Sequence, residues 1–535
     1  MAAAAPAPSA LHEKMNKGPG KIGMLIFGVA LIVGFIYAGS QLINDLSVIH
    51  ETSVYPFIML GVALFVALGF EFVNGFHDTA NAVATVIYTH SLEPHIAVVW
   101  SGVWNFIGVL ASSGAVAFSI VTLLPVELIL QVGSGSGFYM VFALLAAAII
   151  WNLGTWWFGL PSSSTHTMVG SIIGVGIANQ LINAKTGTSG VDWAQAAGVG
   201  RTLLLSPVVG FGVAAICLLL LKLFVKNPEL YEAPEGTAPP PWWIRIMLIG
   251  TCTGVSYAHG SNDGQKGMGL IMLILIGTVP TAYALNHAIT PAQTMDFVAV
   301  SRQADSIIEK YVPKEAVTAD PRAAITEYLR TKEMTPVAMF GLEREVFNMA
   351  NSAEHFRDFK NVPPADVPNF RNDMYVASEA LRLIKKSNNP KISAEDWAVL
   401  DNYKKHIDSA TKFIPPWVKV AVALALGLGT MVGWKRIVVT VGEKIGKQHL
   451  SYAQGLSAEV TAMLTIEAAD HLSMPVSTTH VLSSGVAGTM AANQSGLQWS
   501  TVRNLLMAWV LTLPASIVLA GALFWVFSSI SGAIG

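Results

Sequence analysis

The chain has 535 residues, of which 53% are hydrophobic and 12% charged, with a formal net charge of −2. A soluble globular chain carries about twice that charged fraction, and roughly half of the charged residues here fall between Asn286 and Phe413. These figures exclude a soluble enzyme, a disordered chain and a fibre; with no basic excess, nucleic acid is excluded as a partner. They leave a polytopic protein of the lipid bilayer with one soluble insert.

In chain order, residues 1–21 are rich in Ala and Pro and read as a disordered N-terminus. The apolar run after Lys21 has no small-residue cleavage signature, so it reads as a first membrane helix and not as a removed signal. A span needs about 20 apolar residues at about 1.5 Å each. Candidate spans are 22–43, 54–74, 76–92, 95–124, 138–160, 164–183, 198–225, 242–262, 264–285, 414–434, 452–472, 478–493 and 501–531. Polar or Gly/Pro-rich stretches interrupt this pattern near 75–81, 161–166, 260–266 and 475–480. Irregular backbone at membrane depth persists only where it is buried in protein or lines a wet cavity. The two cysteines, Cys217 and Cys252, lie in apolar runs and offer neither a disulfide framework nor a thiolate metal site.

The interruptions come in pairs. Gly75-Phe76-His77-Asp78 is similar to Gly260-Ser261-Asn262-Asp263, and Pro161 to His166 is similar to Pro475 to His480. Asp78 precedes Ser163 by 85 positions; Asp263 precedes Ser477 by 214, of which the 128-residue insert accounts for all but 86. The chain therefore reads as all-α, two inverted repeats with broken helices and re-entrant hairpins, plus a soluble helical insert. The first repeat is 22–225, a linker loop 226–241, the second repeat 242–285 and 414–535, and the insert 286–413. Within the insert, helices are expected over Pro321–Arg330, Leu342–Phe356, Met374–Lys386 and Ser393–Thr411. Lys222, Lys226 and Arg245, and then Lys435, Arg436, Lys444 and Lys447, mark cytoplasmic loops. One crossing by 242–285 puts the insert in the periplasm; two crossings put it in the cytoplasm.

Asn74, Asp78 and Asn81 share one helical face. A carboxylate in the membrane costs several kcal/mol unless paired or hydrated, so Asp78 and Asp263 read as cation or proton sites beside a substrate. The competing reading is a hydrogen-bond cluster between helices. Lys266 follows Asp263 at i+3 and can neutralise it, stand beside an anion, or snorkel to the interface. Pro followed by Ser/Thr favours a helix start, and helix N-termini bind anions. Ser163, Ser164, Thr165 and Ser477, Thr478, Thr479 thus form two hydroxyl-tipped helix starts, which together can surround a tetrahedral oxyanion. Taken singly, either motif is plain capping. Asn262 belongs to the same polar set. His77, His166, His480 and Glu467 join Asp78 and Asp263 as proton-coupling candidates, the histidines doubling as structural donors. The tryptophans read as interface anchors and packing.

These motifs resemble the inorganic phosphate transporter (PiT) family, and 75–89, 256–277, 442–447 and 474–490 are most similar to its bacterial low-affinity, proton-coupled branch. The resemblance implies a homodimer in the cell inner membrane and symport of inorganic phosphate, commonly as a neutral complex with a divalent metal, with no resident cofactor or metal. Sodium-coupled relatives have Asn where this chain has His77 and Lys266, which favours protons over sodium. The alternatives are a sodium-coupled carrier of phosphate or another oxyanion, a passive channel, and an intramembrane Ser/His hydrolase. The hydrolase requires one activated nucleophile, and this chain has two near-equal clusters.

Overall fold

The structure, a computed structural model, describes residues 10–18, 20–46, 55–121, 123–124, 135–183, 191–234, 236, 238–317 and 320–534, without the side chains of 10, 55, 56, 79, 81, 135, 136 and 531–534. The reading of 1–21 as disordered falls largely outside these residues. Every regular element among them is helical, apart from an isolated bridge between Gly446 and Leu497. Six described helices are long and apolar enough to cross a membrane: Lys21–Leu46, Phe57–Tyr88, Pro94–Ala111, Gly137–Trp157, Trp193–Phe224 and Trp499–Ile530.

Two expected interruptions are absent. Asp78 lies within one continuous helix, Tyr55–Tyr88, and Asp263 within another, Trp242–Thr278. The paired candidate spans 54–74 with 76–92, and 242–262 with 264–285, are therefore single helices. The glycines that suggested breaks serve close approach instead. A Cβ on Gly75 would run into the Leu426 carbonyl, and one on Gly260 into the Asn105 carbonyl. The polar side chains recur at i, i+3, i+4 and i+7, one face of an intact helix, so no unwinding is needed. We call these two the aspartate helices.

The other two interruptions are present. The chain leaves the helix Gly135–Trp157 and re-enters at Ser164–Ile182; likewise it leaves Tyr452–His471 and re-enters at Thr478–Ala492. The re-entering segments, here called tip helices, are followed by the long helices Trp193–Phe224 and Trp499–Ile534. Packing exchanges partners between the halves. The first tip helix packs on Trp499–Ile534 and the second on Trp193–Phe224. Similarly, Pro94–Ala111 packs on the second aspartate helix, and Pro416–Gly429 on the first. Span 414–434 is shorter than expected: Pro416–Gly429 has 14 residues, and it meets Ala394–Thr411 at a 72° bend.

Among the described residues the insert contains five long helices, Pro291–Glu309, Pro321–Thr331, Pro336–Phe356, Val367–Ser387 and Ala394–Thr411. The first of these was not expected; it opens with a Thr290–Gln293 capping box. Thr335 and Ser393 cap two others. The lipid-facing sides elsewhere expose large apolar residues, as along Lys21–Leu46 and Trp193–Phe224, the arrangement a hydrocarbon solvent favours.

Candidate functional site

Each tip helix starts in the same way. Ser163 Oγ accepts the His166 backbone N–H at 3.2 Å, and Ser477 Oγ accepts the His480 backbone N–H at 3.2 Å. For these two serines the capping reading holds. Their neighbours turn elsewhere. Ser164 Oγ donates to Asp78 Oδ2 at 2.9 Å, and Thr479 Oγ1 donates to Asp78 Oδ1. One carboxylate thus takes a hydroxyl from each tip. The tips also touch directly: Thr165 Oγ1 donates to the Val476 carbonyl at 2.9 Å, and the rings of His166 and His480 lie 4.5 Å apart. Thr478 is buried in the second tip.

The second aspartate helix completes the site. Lys266, fully buried, places Nζ 2.7 Å from Asp263 Oδ2 and donates to Thr165 Oγ1 at 2.5 Å. The ammonium is therefore held inside and does not snorkel. His259 Nε2 lies 3.7 Å from Asp78 Oδ2 and 3.5 Å from Asp263 Oδ2, and its Nδ1 is 2.6 Å from Asn105 Oδ1. Asn262 Nδ2 donates to the Met474 carbonyl at 3.3 Å, beside the second tip. Asn74 Nδ2 reaches the buried Glu71 at 3.5 Å. Asn81 lies outside the described side chains.

Ser162, His77 and Asp78 stand in hydrolytic order. However, His77 Nδ1 is 3.7 Å from Asp78 Oδ1, too far for a hydrogen bond, while Ser162 Oγ pairs with Thr155 at 2.9 Å and lies 3.4 Å from His77 Nε2. His480 also packs on Trp509, ring to ring at 4.3 Å.

Glu467 stands apart from this cluster. It is 38% exposed and pairs with His471, itself 78% exposed, at 3.4 Å. The acid of that turn that faces inward is Asp470, which accepts from Ser261 Oγ at 2.8 Å and Gln265 Nε2 at 2.6 Å. The sequence reading also passed over His259 and Asn105. His259 was findable, since it precedes Asp263 at i+4; Asn105 is placed by tertiary packing and carries no local signal.

Asp78 and Asp263 bring two buried carboxylates to the site and Lys266 one ammonium, and an anion bound there would add to the negative side of that balance. Such a site can hold cations. Asp78, His259 and Asp263 can do so: one ligand atom from each lies within 4.8 Å of the others. Carboxylate oxygens with an imidazole nitrogen suit a divalent cation, and the same atoms accept protons. The groups that could donate to an anion here are the N–H groups of the two helix starts, their hydroxyls and Lys266.

The chain matches the profile of the phosphate transporter family over residues 74–520. It is 40% identical over 493 residues to the low-affinity inorganic phosphate transporter PitB of Escherichia coli K12, covering 88% of this chain and 97% of that one. It is 41% identical over 492 residues to PitA of the same strain, covering 88% and 96%. A probable low-affinity inorganic phosphate transporter of Bacillus subtilis is 28% identical over 465 residues, covering 87% and 96%. A solved structure described as the sodium-dependent phosphate transporter aligns with a TM-score of 0.49 at 19% identity, covering 88% of this chain and all of that one.

Proposed function

Because the chain belongs to the phosphate transporter family, we propose that it imports inorganic phosphate across the cell inner membrane in symport with protons. The observation that carries this reading is the single carboxylate of Asp78, bonded to Ser164 of one tip and Thr479 of the other. An entering phosphate takes those two hydroxyls, the adjacent N–H groups of both helix starts and the Lys266 ammonium. Asp78, relieved of its donors and facing a dianion, then takes a proton, and His259 lies between it and Asp263 to share the load. Proton uptake thereby offsets the charge that phosphate brings into a low-dielectric site. Release of the proton on the inner side returns the carboxylate to the hydroxyls and expels the anion.

Phosphate carried as a neutral complex with a divalent metal satisfies the same charge balance, with Asp78, His259 and Asp263 as the residues that would face the metal. The exchanged helix partners support two inverted repeats with the site between them. Read as one crossing, the unbroken helix Trp242–Thr278 supports a periplasmic insert. Assembly as a homodimer belongs to the same reading.

The test is uptake of labelled phosphate into proteoliposomes under an imposed pH gradient. We expect uptake that a protonophore abolishes and that the pair Ser164→Ala/Thr479→Ala reduces at least about tenfold, two charge-assisted hydrogen bonds at ~1.5 kcal/mol or more each. Uptake driven by a sodium gradient alone would replace protons by sodium. No uptake under either gradient would defeat the reading.

A further inference from the structure

Glu459 lies near the middle of Tyr452–His471, fully buried and outside the phosphate site. Its Oε2 accepts a hydrogen bond from Thr251 Oγ1. Its Oε1 is buried beside the Thr85 hydroxyl, and the Thr85 methyl fills the place that a Cβ on Gly455, one turn before Glu459, would take. Thr251 stands about three turns before Asp263 on the second aspartate helix, and Thr85 two turns after Asp78 on the first. Glu459 therefore joins the two aspartate helices on one side of the site. That side is the basic one: Tyr452 is two turns away, with Lys444 and Lys447 just before it.

Four helices pack against Tyr452–His471: the two aspartate helices, the second tip helix and Trp193–Phe224. Their charged or titratable groups Glu71, His77, Asp78, His259, Asp263, Lys266 and His480 belong to the site and its surroundings. Arg201, Lys222, Arg245, Tyr88, Cys217 and Tyr257 complete the set with Cys252. Of these, the buried Cys252 thiol is the group that feels the charge of Glu459, and among the described residues no base pairs with that carboxyl. A carboxylate in a dry position without a base is costly. A carboxylic acid is not, and its O–H can donate to Thr85 while Thr251 donates to it.

We propose that Glu459 is a proton-binding site at the cytoplasmic gate, protonated while the Thr85 and Thr251 ends of the aspartate helices close on it and ionised when they part. On opening, the proton passes from Oε1 to cytoplasmic water. This rests on the transport reading but not on proton symport. Linkage of one proton makes the open-to-closed ratio rise about tenfold per pH unit between the ionisations of the hydrated and the enclosed acid.

Cys252, beside Thr251, reports the opening. In a Cys217→Ser background, the rate of Cys252 alkylation by a water-soluble maleimide added from the cytoplasmic side is followed against pH. In Glu459→Gln, which keeps an acceptor for Thr251 and a donor for Thr85, only the thiol's own titration remains. The parent's slope is expected to exceed the variant's by about a decade per pH unit. Thr85→Val, which strips the acid's acceptor, is expected to raise alkylation at low pH and supplies a second reading if Glu459→Gln elutes as aggregate. Equal slopes in parent and Glu459→Gln, or alkylation unchanged in Thr85→Val, would overturn the proposal. Uptake under a pH gradient in the same vesicles tests symport separately: its absence beside unequal slopes removes symport and leaves the gate.

Discussion

Lys266 is the sharpest point at which to perturb the site. Lys266→Met keeps most of the stem volume and removes one charge, along with the Nζ contacts to Asp263 at 2.7 Å and Thr165 at 2.5 Å. Asp263 is then a buried carboxylate with its nearest base, His259, at 3.5 Å. Removing one member of a buried pair typically costs roughly 3–5 kcal/mol, because the remaining charge is uncompensated. Protonation of His259 returns part of this, so a loss of about 2–4 kcal/mol is expected. The double variant Lys266→Met/Asp263→Asn leaves no orphan charge and should recover at least about half of the loss. The assay is denaturation of the purified protein in detergent, followed by tryptophan fluorescence, with phosphate uptake measured on the same preparations. Both variants should fail to transport, the single one through instability and lost anion contacts and the double one through lost contacts alone. A Lys266→Met protein as stable as the parent, or a double variant no better than the single, would refute the assignment of a buried, charge-compensating pair.

Ser163→Ala and Ser477→Ala each remove a helix cap, at about 1 kcal/mol of stability, and should spare transport relative to Ser164→Ala and Thr479→Ala, whose hydroxyls face Asp78; uptake rates at matched protein amounts check the order. Gly260→Ala sets a methyl against the Asn105 carbonyl, so roughly 1–3 kcal/mol of destabilisation and loss of uptake are expected, read by melting and transport. In the insert, burial pushes the Glu345 carboxyl up to about 7, with Asp373 adding to the shift. A folded-state value above the ordinary 4.5 means that the folded insert loses stability as pH rises from about 4.5 through 7. Glu345→Gln should therefore slow hydrogen exchange in Pro336–Phe356 at pH ~8, by about 1–2 kcal/mol after solvent screening, and change little at pH ~4.

Much of the site was legible because its signals are local. Pro-Ser/Thr runs specify helix starts by capping chemistry, and the duplication showed that there were two. What misled was glycine. In a soluble helix Gly75 and Gly260 suggest a break, whereas between packed membrane helices they admit a neighbouring backbone, here those of Leu426 and Asn105. Periodicity registers polarity along a helix but not which polar face turns inward. Glu467 and Asp470 sit on one turn, yet only Asp470 meets Ser261 and Gln265. The partners Asn105, Thr155 and Thr251 come from helices distant in sequence, and a single chain carries no trace of such pairings. Within the insert, whose start at 286 was expected, the first helix, Pro291–Glu309, was not, because it is announced by a capping box and not by a strong apolar stripe.

The most direct measurement is an experimental structure of the protein loaded with phosphate. The account predicts tetrahedral density between the two tips, within hydrogen-bond reach of Ser164, Thr165, Thr479 and the Lys266 ammonium, with Asp78 released from at least one hydroxyl. Phosphate held elsewhere, with the bonds from Ser164 and Thr479 to Asp78 intact, would contradict it.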